Sequence, residues 1–228
     1  MTNTNEKAGV WETIYKEQGY RAKYPSEDII RFMAKNFYGF KDRKSVKILD
    51  LGCGPGKDSW FLAREGFDVY GIEQSESAIE MARARFANDG LKGTFIAGDA
   101  KELHFGQEFF DAVIDDVSLQ HNSIKEISEV LSGCSSVLKK GGMMCSILRS
   151  KDDYIFRERL GKEIEPGTLV GISEGESSNC GIMHFFDAEE IKMLFSHAGF
   201  SEVGIEKFDR TVNGMARAIS HYIVSARK

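Results

Sequence analysis

The chain has 228 residues, 42% hydrophobic and 29% charged, with a formal net charge of −5. That length suits one α/β domain or at most two small ones, and the acidic balance argues against a broad nucleic-acid footprint, which needs Lys and Arg clustered on one face. No run approaches the ~18 apolar residues of a membrane span, no apolar core of signal-peptide length opens the chain, and the four cysteines (Cys53, Cys134, Cys145, Cys180) lack CxxC or metal-ligand spacing, so a reduced, cytoplasmic protein is expected.

In chain order, residues 11–20 read as a short aromatic helix. A second helix starts at Pro25–Ser26, with Glu27 and Asp28 near its positive end and Ile29, Ile30, Met33 and Phe37 at helical spacing. "VKILDL" then reads as a short, continuously apolar strand, and "FDVYGIE", "GTFIAGDA", "FFDAVIDDV" and "MMCSILR" are of the same kind. Such runs suit strands of a parallel sheet buried on both faces. Helices alternate with them: "KDSWFLAREG", ending at Gly66; "SESAIEMARARFANDG", with Ile79, Ala82 and Phe86 on one face; and "SIKEISEVLSGCSSVLKKGG", with Ile124, Ile127, Leu131, Cys134 and Leu138 on one face and Lys139 and Lys140 at its negative end. A late helix opens on Asp187-x-x-Glu190, an analogue of the capping box, and stops at Gly199.

Strand–helix alternation with right-handed crossovers predicts a doubly wound α/β sheet. The last two strands, "EVGIEKF" and "ISHYIVSA", are joined by "DRTVNGMAR" with no helix between them, so they are expected to pair antiparallel.

The first strand runs into Gly52-Cys53-Gly54-Pro55-Gly56-Lys57, and the second ends on Glu73, 17 residues beyond Gly56. Glycines at the carboxyl end of such a strand let the backbone approach a ligand, and the next helix presents free N–H groups. An acidic residue ending the second strand can accept from both hydroxyls of a ribose. A dinucleotide site wants G-x-G-x-x-G; here the third glycine falls one place early and Lys57 takes its position, which argues against a nicotinamide-dependent oxidoreductase.

The stretch "ILDLGCGPGKDSWFLAREGFDVYGIEQS" resembles the S-adenosylmethionine (SAM) binding motif of class I methyltransferases of the bacterial small-molecule type. "FIAGDA" (95–100), "FDAVIDDVSLQHN" (110–122), "VLKKGGMMCSI" (137–147) and "HFFDAEEIKMLFSHAGF" (184–200) resemble later motifs of that family in order. The resemblance covers roughly residues 45–225 and implies a Rossmann-like, seven-stranded sheet, mostly parallel with an antiparallel last strand. It implies SAM as cofactor and S-adenosylhomocysteine as product. It assigns Asp50 to the turn and the amino-acid end of SAM, Gly52 and Gly54 to the close approach, Glu73 to the ribose hydroxyls and Asp99 with the Ala100 backbone to the adenine, with Cys53 and Gln74 also among the cofactor-binding residues. Asp115 begins the segment that passes the methionine end. Read alone, Asp50 is equally a cap for the next helix and Asp99 an ordinary turn residue.

Candidate bases follow the fourth strand: Asp116 and His121, the latter matching a position where many such enzymes carry histidine. Asp115 and Asp116 are adjacent and point to opposite faces of a strand, so no metal site is expected. Residues 149–184 form a long, irregular connection, expected to be a substrate loop. Residues 1–44 are expected to form a helical cap over the mouth of a methyltransferase domain spanning 45–228, with Tyr15 and Tyr24 among its substrate-facing aromatics alongside Trp11 and Tyr20. Arg149 and His184 are candidates to receive an anionic acceptor. The expected activity is methyl transfer to a small polar metabolite, a sugar- or phosphate-bearing precursor among the options, on oxygen or nitrogen. A nucleic-acid methyltransferase and a non-catalytic SAM-binding protein are the alternatives; against the former, "DDVS" stands where amino-methylating DNA enzymes carry Asn/Asp-Pro-Pro-aromatic.

Overall fold

The computed structural model describes residues 4–17 and 22–228. Two helices come first, α1 (Thr4–Glu17) and α2 (Glu27–Phe37). Then strands and helices alternate: β1 (Lys47–Leu51), α3 (Lys57–Arg64), β2 (Asp68–Glu73), α4 (Glu76–Asn88), β3 (Thr94–Ala97), β4 (Phe110–Asp116), α5 (Ile124–Val137) and β5 (Leu138–Arg149). After an excursion described below come α7 (Ala188–His197), β9 (Ser201–Val212) and β10 (Arg217–Arg227).

The sheet has seven strands in the order β3-β2-β1-β4-β5-β10-β9. Its first five strands run parallel, and β10 lies antiparallel to both β5 and β9. The expected α/β architecture is therefore present, hairpin included. Strand order reverses at β1, which has β2 on one side and β4 on the other, so the carboxyl ends of these strands open a crevice at the switch point.

Consecutive residues of β1 feed two separate cores, as strand alternation requires. Ile48 packs with Ile29, Phe32, Met33 and Phe37 of α2 and Leu62 of α3. Leu49 and Leu51 pack with Ile127, Val130 and Leu131 of α5 and Ile191, Leu194 and Phe195 of α7. Both faces are covered, which is why the strands read as unbroken apolar runs.

Two local expectations are corrected. The fifth helix ends at Val137, and Leu138 already pairs with Phe110 as β5 begins. Lys139 is a strand residue whose Nζ sits 2.7 Å from Asp111 Oδ1, so the two lysines do not sit at a helix end. The helix starts are better cued: Asp187 accepts from Glu190 N–H at 2.9 Å, and Ser123 with Glu126 forms a full capping box.

The 149–184 connection is also more regular than its sequence suggests. It holds a short helix, α6 (Tyr154–Arg157), and three small antiparallel strands, β6 (Lys162–Glu165), β7 (Thr168–Val170) and β8 (Ile182–His184). Tyr154, Ile155, Leu169, Ile172, Met183 and Phe185 pack there with Ile219 of β10. Strands of three or four residues are too short to print an alternation in sequence. Between β7 and β8 the backbone makes few hydrogen bonds, among them Ser173 N–H to Leu160 O and Ser178 N–H to Gly175 O. Hydrogen exchange should therefore find residues 162–170 protected and residues 174–181 exchanging much faster. Uniform protection across the whole segment would make the 174–181 stretch a rigid part of the small sheet.

Candidate active site

The turn after β1 carries the first half of the site. Gly52 (φ 63°) and Gly54 (φ 49°) adopt the left-handed conformation that side chains disfavour. A Cβ on Gly52 would fall 1.9 Å from Ser118 Oγ, and one on Gly54 would fall 2.7 Å from the Tyr15 hydroxyl. The turn thus threads between the loop after β4 and helix α1.

Glu73 ends β2 beneath this turn, 7% exposed. Gly54 N–H donates to its Oε2 at 3.2 Å and Ser75 N–H to its Oε1 at 3.0 Å. Each oxygen keeps acceptor capacity toward the crevice. Burial pushes its carboxyl above the usual range, partly offset by those N–H groups. Beside it, the buried Gln74 Oε1 has no hydrogen-bond partner among the described residues.

Asp50 both caps and lines. Ser59 donates to its Oδ2 through N–H at 3.0 Å and Oγ–H at 2.5 Å, tying β1 to the first turn of α3. Burial, then the neighbouring Asp58, pushes the Asp50 carboxyl up to about 8; burial likewise pushes Asp58 up to about 6. Lys57 bridges Asp58 and Asp116. Burial opposes its charge, but the two carboxylates outweigh burial and hold it protonated.

The far side is built from distant segments. Trp11, Ile14 and Tyr15 of α1 close over the crevice. Glu12 fastens that helix to the start of α4, accepting from Ser75 Oγ–H at 2.7 Å, Ser77 N–H at 3.2 Å and Ser77 Oγ–H at 2.5 Å. His121 Nδ1 lies 3.0 Å from Ile182 O, and its ring meets Trp11 edge-on at 4.8 Å. A carbonyl only accepts, so Nδ1 carries the proton and Nε2 the lone pair.

One cavity of about 800 Å³ joins these parts. Of the residues singled out in sequence, Asp50, Gly52, Cys53, Gly54, Glu73, Gln74, Ala100, Asp116, His121, Tyr15 and Arg149 line it. Four others are placed elsewhere. Asp99 is turned toward Lys101, accepting its N–H at 2.9 Å and facing its Nζ at 3.3 Å, while Gly98 and Ala100 take the wall. Asp115 is fully buried behind the wall, accepting from Ser118 and Leu119 N–H at 2.8 and 2.9 Å and from Ser146 Oγ–H; burial pushes it up to about 7. Tyr24 is 68% exposed and outside the lining. His184 is buried inside the small sheet, with Nδ1 2.7 Å from Thr168 Oγ1 and Nε2 3.2 Å from Glu190 Oε1. Tyr20 lies outside the described residues. The lining also includes Lys57, Met183, Arg210 and His221. Nothing local in the sequence marked the last two, because only the β10–β9 hairpin's place beside β5 brings them here.

Residues 48–142 match the model of a methyltransferase domain. Over these residues the chain is similar to the class I SAM-dependent methyltransferases. It is 32% identical over 111 residues to an uncharacterized methyltransferase of Synechocystis, a match covering 48% of this chain and 50% of that one. It is 27% identical over 139 residues to a ubiquinone biosynthesis O-methyltransferase of Sinorhizobium fredii, covering 61% and 55%. The chain thus spans about half the length of these curated relatives. A SAM-dependent methyltransferase structure from Methanosarcina mazei shares the fold, with a TM-score of 0.71 over 90% of this chain and 98% of that one at 24% identity.

The cofactor of this family fits the residues present. Glu73 retains outward acceptor capacity, Gln74 Oε1 awaits a donor, and the turn at Gly52 and Gly54 is tight enough to exclude side chains. Glu73→Gln should weaken SAM binding by about 1.5–3 kcal/mol by calorimetry, through loss of a charge-assisted hydrogen bond. Parental affinity in that variant would remove Glu73 from the cofactor site. The raised acids also set a pH trend. Their folded-state pKa values exceed the ordinary value of 3.8, so they favour folding at low pH, and that contribution is lost as pH rises toward 8. Urea unfolding of ligand-free protein should show stability falling from pH 5 to 8, with a shallower fall in Asp50→Asn.

Proposed function

We propose that the chain transfers the methyl group of SAM to an oxygen or nitrogen of a small polar molecule held in this cavity. The observation that carries the reading is the continuity of one cavity from Glu73 to His121 and Arg149, with Trp11 and Tyr15 of α1 in its lining. A volume of about 800 Å³ is of small-molecule size. A net charge of −5 gives a polynucleotide little purchase.

Glu73 would hold the ribose hydroxyls, Asp50 the amino-acid end, and the wall at Gly98 and Ala100 the adenine. Bound SAM supplies an electrophilic methyl on a sulfonium. The chain's contribution is placement: aligning the acceptor's lone pair behind that methyl supplies ~7–11 kcal/mol. Trp11, Tyr15 and the 174–183 stretch exclude water from the line of attack. His121 Nε2 takes the proton from a hydroxyl acceptor, its tautomer fixed by Ile182 O. Asp116, engaged by Lys57, contributes charge and position rather than proton removal. Between the two acceptor atoms, oxygen has the support of the relatives named O-methyltransferases and of this positioned base.

A tritiated-methyl assay against a panel of hydroxylated and amino metabolites tests the reading. With a hydroxyl acceptor, His121→Ala should lower kcat by about 10²–10⁴-fold at unchanged SAM affinity, and the rise of rate with pH seen in the parent should disappear. With an amine acceptor the loss should be far smaller. Parental turnover and pH profile in the variant would strike His121 from the reaction. Tight SAM binding without transfer to any acceptor would leave a SAM-binding protein in place of an enzyme.

A further inference from the structure

Three adjacent strands place basic side chains on one wall of the cavity. His221 of β10 stands opposite Arg149 of β5 and, on its other side, opposite Phe208 of β9. Two residues along, Ile219 of β10 stands opposite Arg210 of β9. Residues two apart share a strand face, and all of these residues line the cavity.

Arg149 is 5% exposed. Its Nη1 donates to Asp153 Oδ2 at 2.7 Å, and Asp153 is itself held by N–H groups of Ile155 and Ser220. The other edge of the guanidinium is unfilled. Among the described residues, Nε is buried with no partner, and Nη2 has a long contact to Ser177 Oγ at 3.4 Å and lies 3.9 Å from Glu176 Oε2. Nε and Nη2 form a parallel pair of donors, the fork that matches two oxygens of a carboxylate or phosphate. A buried donor without an acceptor is costly, so such an edge facing a ligand cavity points to a ligand oxygen.

Of the acids at this wall, Asp153 is taken by Nη1 of Arg149, and Glu176 is largely exposed at the rim. Arg210 forms no ion pair among the described residues; its guanidinium rests 5.7 Å from the Phe208 ring. His221 faces Arg149 from β5, Arg210 from β9, Asp153 at the start of α6 and Asp116 from β4. Burial, then the charge of Arg149, lowers its pKa to about 4 despite both aspartates, so at neutral pH it is an uncharged donor or acceptor. Asp28 of α2 also borders the cavity, but burial raises its carboxyl. Asp116 is committed to Lys57.

We infer that the acceptor carries an anionic group, a carboxylate or phosphate, received by the Nε–Nη2 edge of Arg149 with Arg210 and His221 beside it. The inference rests on the methyl-transfer reading of the cavity and supplies its substrate class.

Calorimetry with benzoate, phenyl phosphate and neutral benzamide on protein saturated with S-adenosylhomocysteine tests the inference. At least one of the two anions should bind tenfold or more tightly than benzamide, and which one does assigns carboxylate or phosphate. Arg149→Gln and Arg210→Gln should each reduce that binding at least tenfold while leaving S-adenosylhomocysteine affinity unchanged. Arg210 is exposed, so its variant carries the test even where Arg149→Gln fails to fold. Equal binding of charged and neutral probes, or parental anion affinity in Arg210→Gln, would overturn the inference. The same titrations on ligand-free protein separate the two claims: absence of S-adenosylhomocysteine binding would sink the methyl-transfer reading, whereas the anion preference is read independently of it.

Discussion

Three buried carboxylates at the carboxyl ends of parallel strands organise the whole upper edge of the sheet. Asp50 in β1, Glu73 in β2 and Asp115 in β4 each sit almost entirely out of water. Each accepts backbone N–H groups from segments at that edge: Ser59 of α3 for Asp50, Gly54 and Ser75 for Glu73, Ser118 and Leu119 for Asp115. A carboxylate so buried is tolerable only with such partners, so the loops are held in place by the need to satisfy it. Glu73 goes further and joins two loops, the one after β1 and the one after β2. Even so, burial leaves all three carboxyls above their usual range. A site with acids still short of compensation suits a cationic ligand, and SAM brings a sulfonium and an ammonium.

The cavity divides by charge along its length. Its β1–β2 end is acidic, with Lys57 as a cation spent on Asp58 and Asp116. Its β5–β10–β9 wall presents Arg149 and Arg210 with an uncharged His221. Helix α1 spans both ends and is tied through Glu12 to Ser75 and Ser77, close to the loop that Glu73 holds. Trp11 of that helix touches His121, so the position of α1 also bears on the side chain assigned to proton removal.

The cofactor half was legible in sequence because its determinants are local. The glycine turn, the helix after it and Glu73 lie within one β-α-β stretch, and Asp50, Glu73, Gln74 and Ala100 all line the cavity. The sheet was legible because burial on both faces leaves apolar runs. At the other end of the cavity Trp11, His121 and Arg149 were also picked out in sequence, but Met183, Arg210 and His221 were not, because only the tertiary fold brings them there. The small β6-β7-β8 sheet escaped notice because its strands are too short for a period to register. His184 looked like a ligand-facing group because polarity alone does not disclose a buried partner such as Thr168. Asp99 looked free because a carboxylate's engagement with a lysine two residues later leaves no trace in a motif.

A crystal structure of the protein with S-adenosylhomocysteine tests the central claim most directly. The ribose hydroxyls should lie within hydrogen-bond distance of the Glu73 carboxylate. The bound molecule should run beneath Tyr15 toward His121, with Gly54 N–H still donating to Glu73. A nucleoside held away from Glu73, or a turn that abandons the Gly54–Glu73 hydrogen bond to admit it, would contradict the account.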